Sequence, residues 1–207
     1  MSDDTIEKLV LLLLGWLLGL LAPVIVDSIK RRRENKLGRA AIRVELIQLR
    51  ERLIIAAHSA DDHLGTQTKE KIRWTLERLH AREDDKIRPA LEMRINQADA
   101  EFNALVAYLA GKGNQSIRLQ NYGTPLLDAR VSALWSFNTE AQRLLLQLKT
   151  EMGFLDDAVT QSRFFNELTF KELPSLNHQI AVQSVREYID TYAQRARKAV
   201  ELIDRFL

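Results

Sequence analysis

The first part of the chain is an uninterrupted apolar stretch at residues 9–26, here called the apolar segment. It contains no charged and no strongly polar side chain, and nine of its eighteen residues are leucine. As a helix rising about 1.5 Å per residue it extends roughly 27 Å, close to the ~30 Å hydrocarbon core of a bilayer. The pattern predicts a transmembrane helix over residues 9–29, preceded by a short extracytoplasmic tail at residues 1–8.

Past the apolar segment, apolar residues recur at alternating steps of four and three, the spacing that keeps one face of a helix buried. A glycine favours the end of such a helix, and a threonine followed by proline favours its start. The predicted helices run from Ile42 to Gly65, over residues 68–83, from Leu91 to Gly111 or Gly113, from Pro125 (with Thr124 as N-cap) to Gly153, over residues 156–172, and from Ser175 to the terminus.

No stretch alternates apolar and polar residues with the β-branched enrichment of a strand. The predicted fold is therefore all-α, with one N-terminal transmembrane helix followed by a cytoplasmic antiparallel helical bundle at residues 44–207. Residues 27–43 contain no proline and only Gly38 as a weak breaker, so the first helix can run continuously from the membrane. Heptad-like steps of this kind also fit an intermolecular coiled coil, which is the alternative arrangement.

Charge is concentrated directly after the apolar segment. Residues 30–43 form a basic juxtamembrane segment with a net charge of +6, and its first four residues, the basic collar, are Lys30, Arg31, Arg32 and Arg33. Basic residues that flank a span stay on the cytoplasmic side. The prediction is a single-pass protein of the cell (inner or plasma) membrane with its N-terminus outside. The collar can also attract anionic lipid headgroups.

A cleaved signal peptide is the main rival interpretation of the apolar segment. Such a peptide has a basic stretch before its apolar core and a small-residue cleavage site after it. Here the residues before the segment are mainly acidic, with Asp3, Asp4 and Glu7 against Lys8, and no cleavage site follows. These features favour a retained anchor.

Small residues fall on one side of the predicted span. Gly15 and Gly19 form a G-x-x-x-G motif, and Ala22 continues the same face. In lipid, a face of small residues lets two helices approach closely enough for their backbones to pack. The three residues are the predicted oligomerisation site in the membrane, so a homo-oligomer is expected. Pro23 is expected to kink or loosen the last turns of the span.

Candidate chemistry in the rest of the chain is sparse. There is no cysteine, which excludes thiolate metal sites and cysteine nucleophiles. His58 and Asp62 lie four residues apart on one helix face and His63 follows, but three or four metal ligands are normal and no second cluster is evident. The acidic pairs at 61–62, 84–85 and 156–157 are interpreted as helix caps or solvated residues. No catalytic, cofactor-binding or metal-binding residue is predicted.

One weak resemblance to a ribonuclease family remains open. Arg52 with His58, and Arg73 with His80, fit the loose Arg-x(4 to 6)-His spacing of the HEPN-type ribonucleases, which are all-helical. In that family the arginine would hold phosphate while the histidine moves protons. The polar residue that usually follows the arginine is missing, because Leu53 and Trp74 stand there.

The leading prediction is a membrane-anchored helical interaction or scaffold protein that is not an enzyme. Its expected partners are the lipid bilayer, further copies of itself and a cytosolic protein. No nucleic-acid partner is expected, because residues 44–207 sum to a charge of −1 and show no basic stripe interleaved with aromatics. The alternatives are a membrane-tethered effector of the HEPN-like ribonuclease kind, and a toxin or defence effector that perturbs the membrane.

Overall fold

The computed structural model describes residues 3–79, 87–112, 117, 119–129, 131–172 and 174–207. Every regular element in these ranges is a helix and none is a strand, which confirms the all-α fold. The helices are α1 Asp3–Leu64, α2 Lys69–Arg78, α3 Ile87–Asn96, α4 Asp99–Lys112, α5 Pro125–Ala129, α6 Val131–Leu134, α7 Thr139–Leu168 and α8 Ser175–Phe206.

Helix α1 is one continuous element of 62 residues that contains the apolar segment, the basic collar and the first helix of the bundle. It passes through Pro23, whose missing N–H removes one backbone hydrogen bond without ending the helix. Packing against the bundle begins inside the basic juxtamembrane segment, since Gly38 and Ile42 are already buried.

The main body of the bundle is built from α1, α7 and α8. Ion pairs fix the direction of α8 against α7, because Arg195 contacts Glu151 and Arg205 contacts Glu140. Residue numbers fall along α7 as they rise along α8, so the two helices are antiparallel. Helix α8 is antiparallel to α1 as well, with Arg50 bound to Asp204 near one end and Arg186 donating to the Leu64 carbonyl near the other.

A continuous apolar core lies between these three helices. Side chains in it are almost fully excluded from solvent, and the loop residue Leu119 and the short helices α5 and α6 close one side. The largest fully buried members are Tyr192, Ile42, Leu46, Leu53, Ile54, Leu145, Leu148, Leu155, Ile189 and Ile203. Burial of such side chains contributes about 1.5–3 kcal/mol each, which makes this core the main source of stability.

Helices α2, α3 and α4 form a smaller layer on the end of α1 that lies farthest from the apolar segment. Their own core consists of Ile72, Leu91, Phe102 and Val106. Helix α2 runs back along α1, since its Thr68 N-cap accepts from Lys71 N–H and Arg78 reaches Asp204. The layer thickens the bundle where α1 ends.

Two predicted helix boundaries are wrong. The segment predicted from Leu91 to Gly111 or Gly113 is split at residues 97–98, where Lys69 binds both the Gln97 carbonyl and the Asp99 carboxylate. Its second half continues to Lys112, so Gly111 does not end it, while Gly113 lies outside the described residues. A contact from a distant helix therefore holds the break, and the apolar spacing alone could not show it.

The helix predicted from Pro125 to Gly153 begins at Pro125 as expected, but its end is wrong. The chain turns at residues 135–138, and Asn138 caps a new helix by accepting from Ala141 N–H at 2.8 Å. That helix, α7, passes through Gly153 and absorbs the short helix predicted at 156–172. The N-terminus of α5 is held by Glu45 of α1, whose carboxylate accepts the N–H groups of residues 126 and 127.

Two glycines provide a matched test of these helix ends. Gly65 has φ +69°, and an added Cβ would lie 2.7 Å from the Ala110 Cβ, whereas a Cβ at Gly153 meets nothing within 4 Å. Gly65→Ala is expected to lower the free energy of unfolding by about 2–4 kcal/mol, because strain in the left-handed region adds to the clash. Gly153→Ala is expected to raise it by about 0.5–1 kcal/mol. Denaturant unfolding in detergent measures both, and equal effects would contradict the assigned helix ends.

Candidate functional site

The apolar segment is exposed from Val10 to Val26. The most apolar part of α1 has a mean hydropathy of 2.4, and none of it is buried against the rest of the protein. It is the one helix in the described residues that is long and apolar enough to cross a membrane. A core helix of a water-soluble domain would have its apolar face covered, and this helix has no such cover.

The basic collar follows on the same helix. Lys30, Arg31, Arg32 and Arg33 are all exposed. One to three turns farther along α1, a cleft of about 700 Å³ opens between α1 and the end of the bundle. This proximal cleft is lined by Lys36, Arg39, Ala40, Arg43, Ser136, Phe137, Asn138, Ala141 and Phe206.

The proximal cleft is cationic and partly aromatic. Of the lining residues that the structure describes, three are basic and none is acidic. Arg39 donates to the Ser136 carbonyl at 3.2 Å, which ties the loop after α6 to the juxtamembrane helix. Trp135 precedes this loop contact and is 81% exposed. An exposed tryptophan beside clustered basic residues is typical of a surface near a membrane interface.

The predicted oligomerisation residues lie in open space. A Cβ added at Gly15 or Gly19 would meet no atom within 4 Å, and Ala22 is exposed on the same helix. None of the described residues covers this face, so it is accessible to a second helix.

The residues considered for a metal site take part in protein contacts instead. His58 contacts Asp62 at 3.3 Å and Gln67 at 2.6 Å, and Arg94 binds the Asp62 carboxylate through two bonds of 2.9 Å. The described residues contain no group of three metal-ligating side chains. Burial by itself would raise the pKa of Asp62, but hydrogen bonds from His58 and Arg94 hold it well below its ordinary value. The interpretation of Asp62 as a solvated residue is therefore wrong, because His58 and Arg94 bind its carboxylate.

Asp61 also differs from its predicted role as a cap or solvated residue. Its side chain is 0% exposed and binds Lys71 Nζ at 2.8 Å, Thr66 Oγ1 at 3.1 Å and the guanidinium of Arg197. Lys71 lies on α2, Arg197 on α8 and Thr66 in the loop between α1 and α2. Asp61 therefore joins the end of α1 to α2 and α8.

The other acidic pairs have separate outcomes. The pair at 156–157 lies in the middle of α7 rather than at a helix boundary, with Asp157 exposed and Asp156 partly buried. Burial raises the pKa of Asp156, and the negative charge of Asp157 adds to this rise. The pair at 84–85 lies outside the described residues.

In the described residues, no arginine and histidine with the HEPN-type spacing come together in one site. Arg52 is exposed, whereas the His58 side chain is turned into the contacts with Asp62 and Gln67. Arg73 is exposed near Glu70, and His80 lies outside the described residues.

A second cleft, which sequence reasoning missed, lies at the end of the bundle farthest from the apolar segment. It has a volume of about 730 Å³ and is enclosed by the end of α1, the loop before α5, the last turns of α7 and the first turns of α8. This distal cleft is lined by His63, Ile117, Leu119, Ser162, Arg163, Asn166, Thr169, Phe170, His178, Val182, Val185, Arg186 and Ile189. Its polar residues come from three distant parts of the chain, so no local sequence motif could predict the cleft.

The polar lining of the distal cleft is basic. Among the described residues it contains two arginines and two histidines and no carboxylate. Burial, reinforced by the positive charge of Arg186, lowers the pKa of His63 below its ordinary value of 6.5. The His63 imidazole is therefore mainly neutral at pH 7, and an anion bound beside it would favour its protonation.

Comparison with known proteins adds no family to this description. No protein-family model, no curated protein and no solved structure matches the chain at a significant level.

Proposed function

We propose that the chain is a single-pass membrane-anchored helical interaction module, not an enzyme, which self-associates and presents its bundle to a cytosolic protein partner. The observation that carries the proposal is the exposed apolar segment, which continues without a break into the core of a folded bundle. An apolar surface of this length is strongly unfavourable in water and favourable in a bilayer.

The charge distribution supports an orientation with the bundle in the cytoplasm. The basic collar lies at the end of the apolar segment, and Lys36, Arg39 and Arg43 add a second tier at the proximal cleft. Basic residues near an anionic leaflet contribute about 1 kcal/mol each, an attraction that decays over roughly 8–10 Å at physiological salt. The basic collar is thus the stronger contact with the headgroups, and Lys36, Arg39 and Arg43 attract the adjacent end of the bundle towards them.

The continuous helix supports a mechanical coupling between membrane and bundle. The stretch from Lys30 to His63 extends about 50 Å along the axis of α1. Its second half is packed into the main core at Leu46, Leu53 and Ile54. Rotation or displacement of two membrane helices against each other would move the attached bundles with them.

Topology is tested with single cysteines, since the chain has none of its own. Asp4→Cys is expected to react with a membrane-impermeant maleimide in intact cells, and Lys36→Cys only after permeabilisation. The expectation follows from the rule that positively charged flanks stay inside. Labelling of Lys36→Cys in intact cells, with no labelling of Asp4→Cys, would contradict the orientation.

Self-association through the span is tested by filling the small-residue face. Gly15→Leu with Gly19→Leu is expected to abolish dimer crosslinking in membranes, because bulky side chains keep the two backbones apart. Leu17→Ala on the opposite side of the helix is the matched control and is expected to leave crosslinking unchanged. Neither glycine change meets atoms of its own chain, so the bundle should stay folded. Undiminished crosslinking of the variant with Gly15→Leu and Gly19→Leu would exclude self-association through the small-residue face.

A further inference from the structure

The distal cleft carries positive charge that the fold does not neutralise. Arg163 donates to the Leu119 carbonyl at 3.5 Å and Arg186 donates to the Leu64 carbonyl at 3.2 Å. Neither arginine forms an ion pair with a carboxylate in the part of the chain that the structure describes. Each guanidinium has five N–H donors, so a backbone carbonyl leaves most of them available.

Several other arginines that bridge elements of the bundle are paired with acids. Arg94 pairs with Asp62, Arg195 with Glu151 and Arg197 with Asp61. The distal cleft differs from these cases, because its arginines meet in a concave space with His63 and His178, and the described residues that line this space include no acid. Converging cationic donors that are not paired with a carboxylate are suited to an anion with several oxygen atoms.

The rest of the cleft is apolar and offers a place for the body of a ligand. Leu119 and Ile189 are buried, while Val182 and Phe170 stand at the surface, with Phe170 80% exposed. An exposed phenylalanine at the rim of a pocket presents a flat face on which a planar ring can stack. The volume of about 730 Å³ lies within the range of roughly 300–1,000 Å³ that is usual for small-molecule sites.

We propose that the distal cleft binds a small organic phosphate that carries a planar ring, the class to which mononucleotides belong, with Arg163 and Arg186 on the phosphate and Phe170 against the ring. Asn166 and Ser162 line the same space and supply neutral hydrogen-bonding groups. The proposal adds a soluble ligand to the proposed interaction module. If α1 attaches the bundle to the membrane as proposed, the lipid headgroups lie about 50 Å from the cleft. A headgroup cannot reach the cleft over that distance, so the ligand is free in the cytosol.

Binding is tested by calorimetric titration of the full-length chain in detergent micelles, with adenosine monophosphate as the probe. Arg163→Gln and Arg186→Gln are each expected to weaken binding about tenfold or more, as for the loss of a charge-assisted hydrogen bond. Arg52→Gln removes an exposed arginine of α1 outside the cleft and is the matched control, expected to leave affinity unchanged. Because the measurement uses solubilised protein, its outcome does not depend on whether the membrane topology is correct.

Two further probes separate the contributions of phosphate and ring. Adenosine, which lacks the phosphate, is expected to bind at least about tenfold more weakly than the monophosphate. Phe170→Ala should weaken binding of adenosine monophosphate but not of inorganic phosphate. Absence of binding at millimolar probe, equal binding of adenosine, or full affinity in both arginine variants would each overturn the proposal, provided that circular dichroism shows the variants to be folded.

Discussion

Replacement of both Leu17 and Leu18 by arginine is expected to move the protein from the membrane pellet into the soluble or aggregated fraction. The thirteen Leu, Ile and Val residues of the apolar segment favour insertion by roughly 4–8 kcal/mol in total. Two arginines near the middle of the span cost about 5–7 kcal/mol and also remove two leucines, so the balance no longer favours the bilayer. Ultracentrifugation after an alkaline carbonate wash measures the change.

The matched control places the same charges on the same helix outside the span. Leu37 and Val44 are exposed on α1 beyond the basic collar, so the double variant Leu37→Arg with Val44→Arg should remain in the pellet. Its added charges also fall on the side that basic residues prefer. Wild-type protein in the supernatant without detergent would overturn the proposal of a membrane anchor, whatever the variants do.

Features with a strong local signal could be predicted from the sequence. The apolar segment is defined by composition alone, and α8 is bounded by Pro174 and a sustained apolar stripe. Gly65 ends α1 as expected because its φ of +69° is costly for any other residue. In each of these cases the information lies within a few residues of the element that it specifies.

Features that depend on distant contacts could not be predicted. The break between α3 and α4 is held by Lys69, which is 28 residues away from the carbonyl that it binds. The turn before α7 did have a local signal, since Asn138 is a good N-cap residue. Asn138 also falls at the spacing of the apolar residues between Pro125 and Gly153, and this continuity hides the cap.

Charged side chains show the same limitation more clearly. Asp61 and Arg197 are neighbours in space and far apart in sequence, so Asp61 was interpreted as solvated although it is fully buried. The distal cleft is hidden for the same reason, because His63, Arg163 and His178 come together only through the packing of α1, α7 and α8. Periodicity predicts which face of a helix is buried, but not which polar residues meet there.

The arrangement of α1 gives these distant contacts a common location. The helix enters the main core near Ile42 and ends at Leu64, where α2, α8 and the distal cleft all contact it. The buried ion pairs of Asp61 and the distal cleft therefore lie at the same end of the element that carries the apolar segment at its other end. A ligand in the cleft would contact the same helix that carries the apolar segment.

Asp61→Ala is expected to lower the free energy of unfolding by about 3–5 kcal/mol, because it leaves the Arg197 guanidinium half-buried without its counter-charge. Lys71 and Thr66 lose a partner in the same step. For a chain of this size the loss corresponds to a decrease in Tm of roughly 6–20 °C. The Trp74 ring centroid lies 5.8 Å from the Arg197 guanidinium carbon, so Trp74 contributes a local signal to tryptophan fluorescence during unfolding in detergent.

Two further variants separate the loss of the charge partner from a general effect of removing an acid. Asp157→Ala removes an exposed carboxylate of α7 and should change stability by less than about 0.5 kcal/mol. Asp61→Ala combined with Arg197→Met removes both buried charges and should recover most of the lost stability, since an apolar pair can replace a buried ion pair at little cost. If the double variant is as unstable as Asp61→Ala alone, the uncompensated guanidinium is not the cause, and the lost contacts of the Asp61 side chain with Lys71 and Thr66 must account for the loss instead.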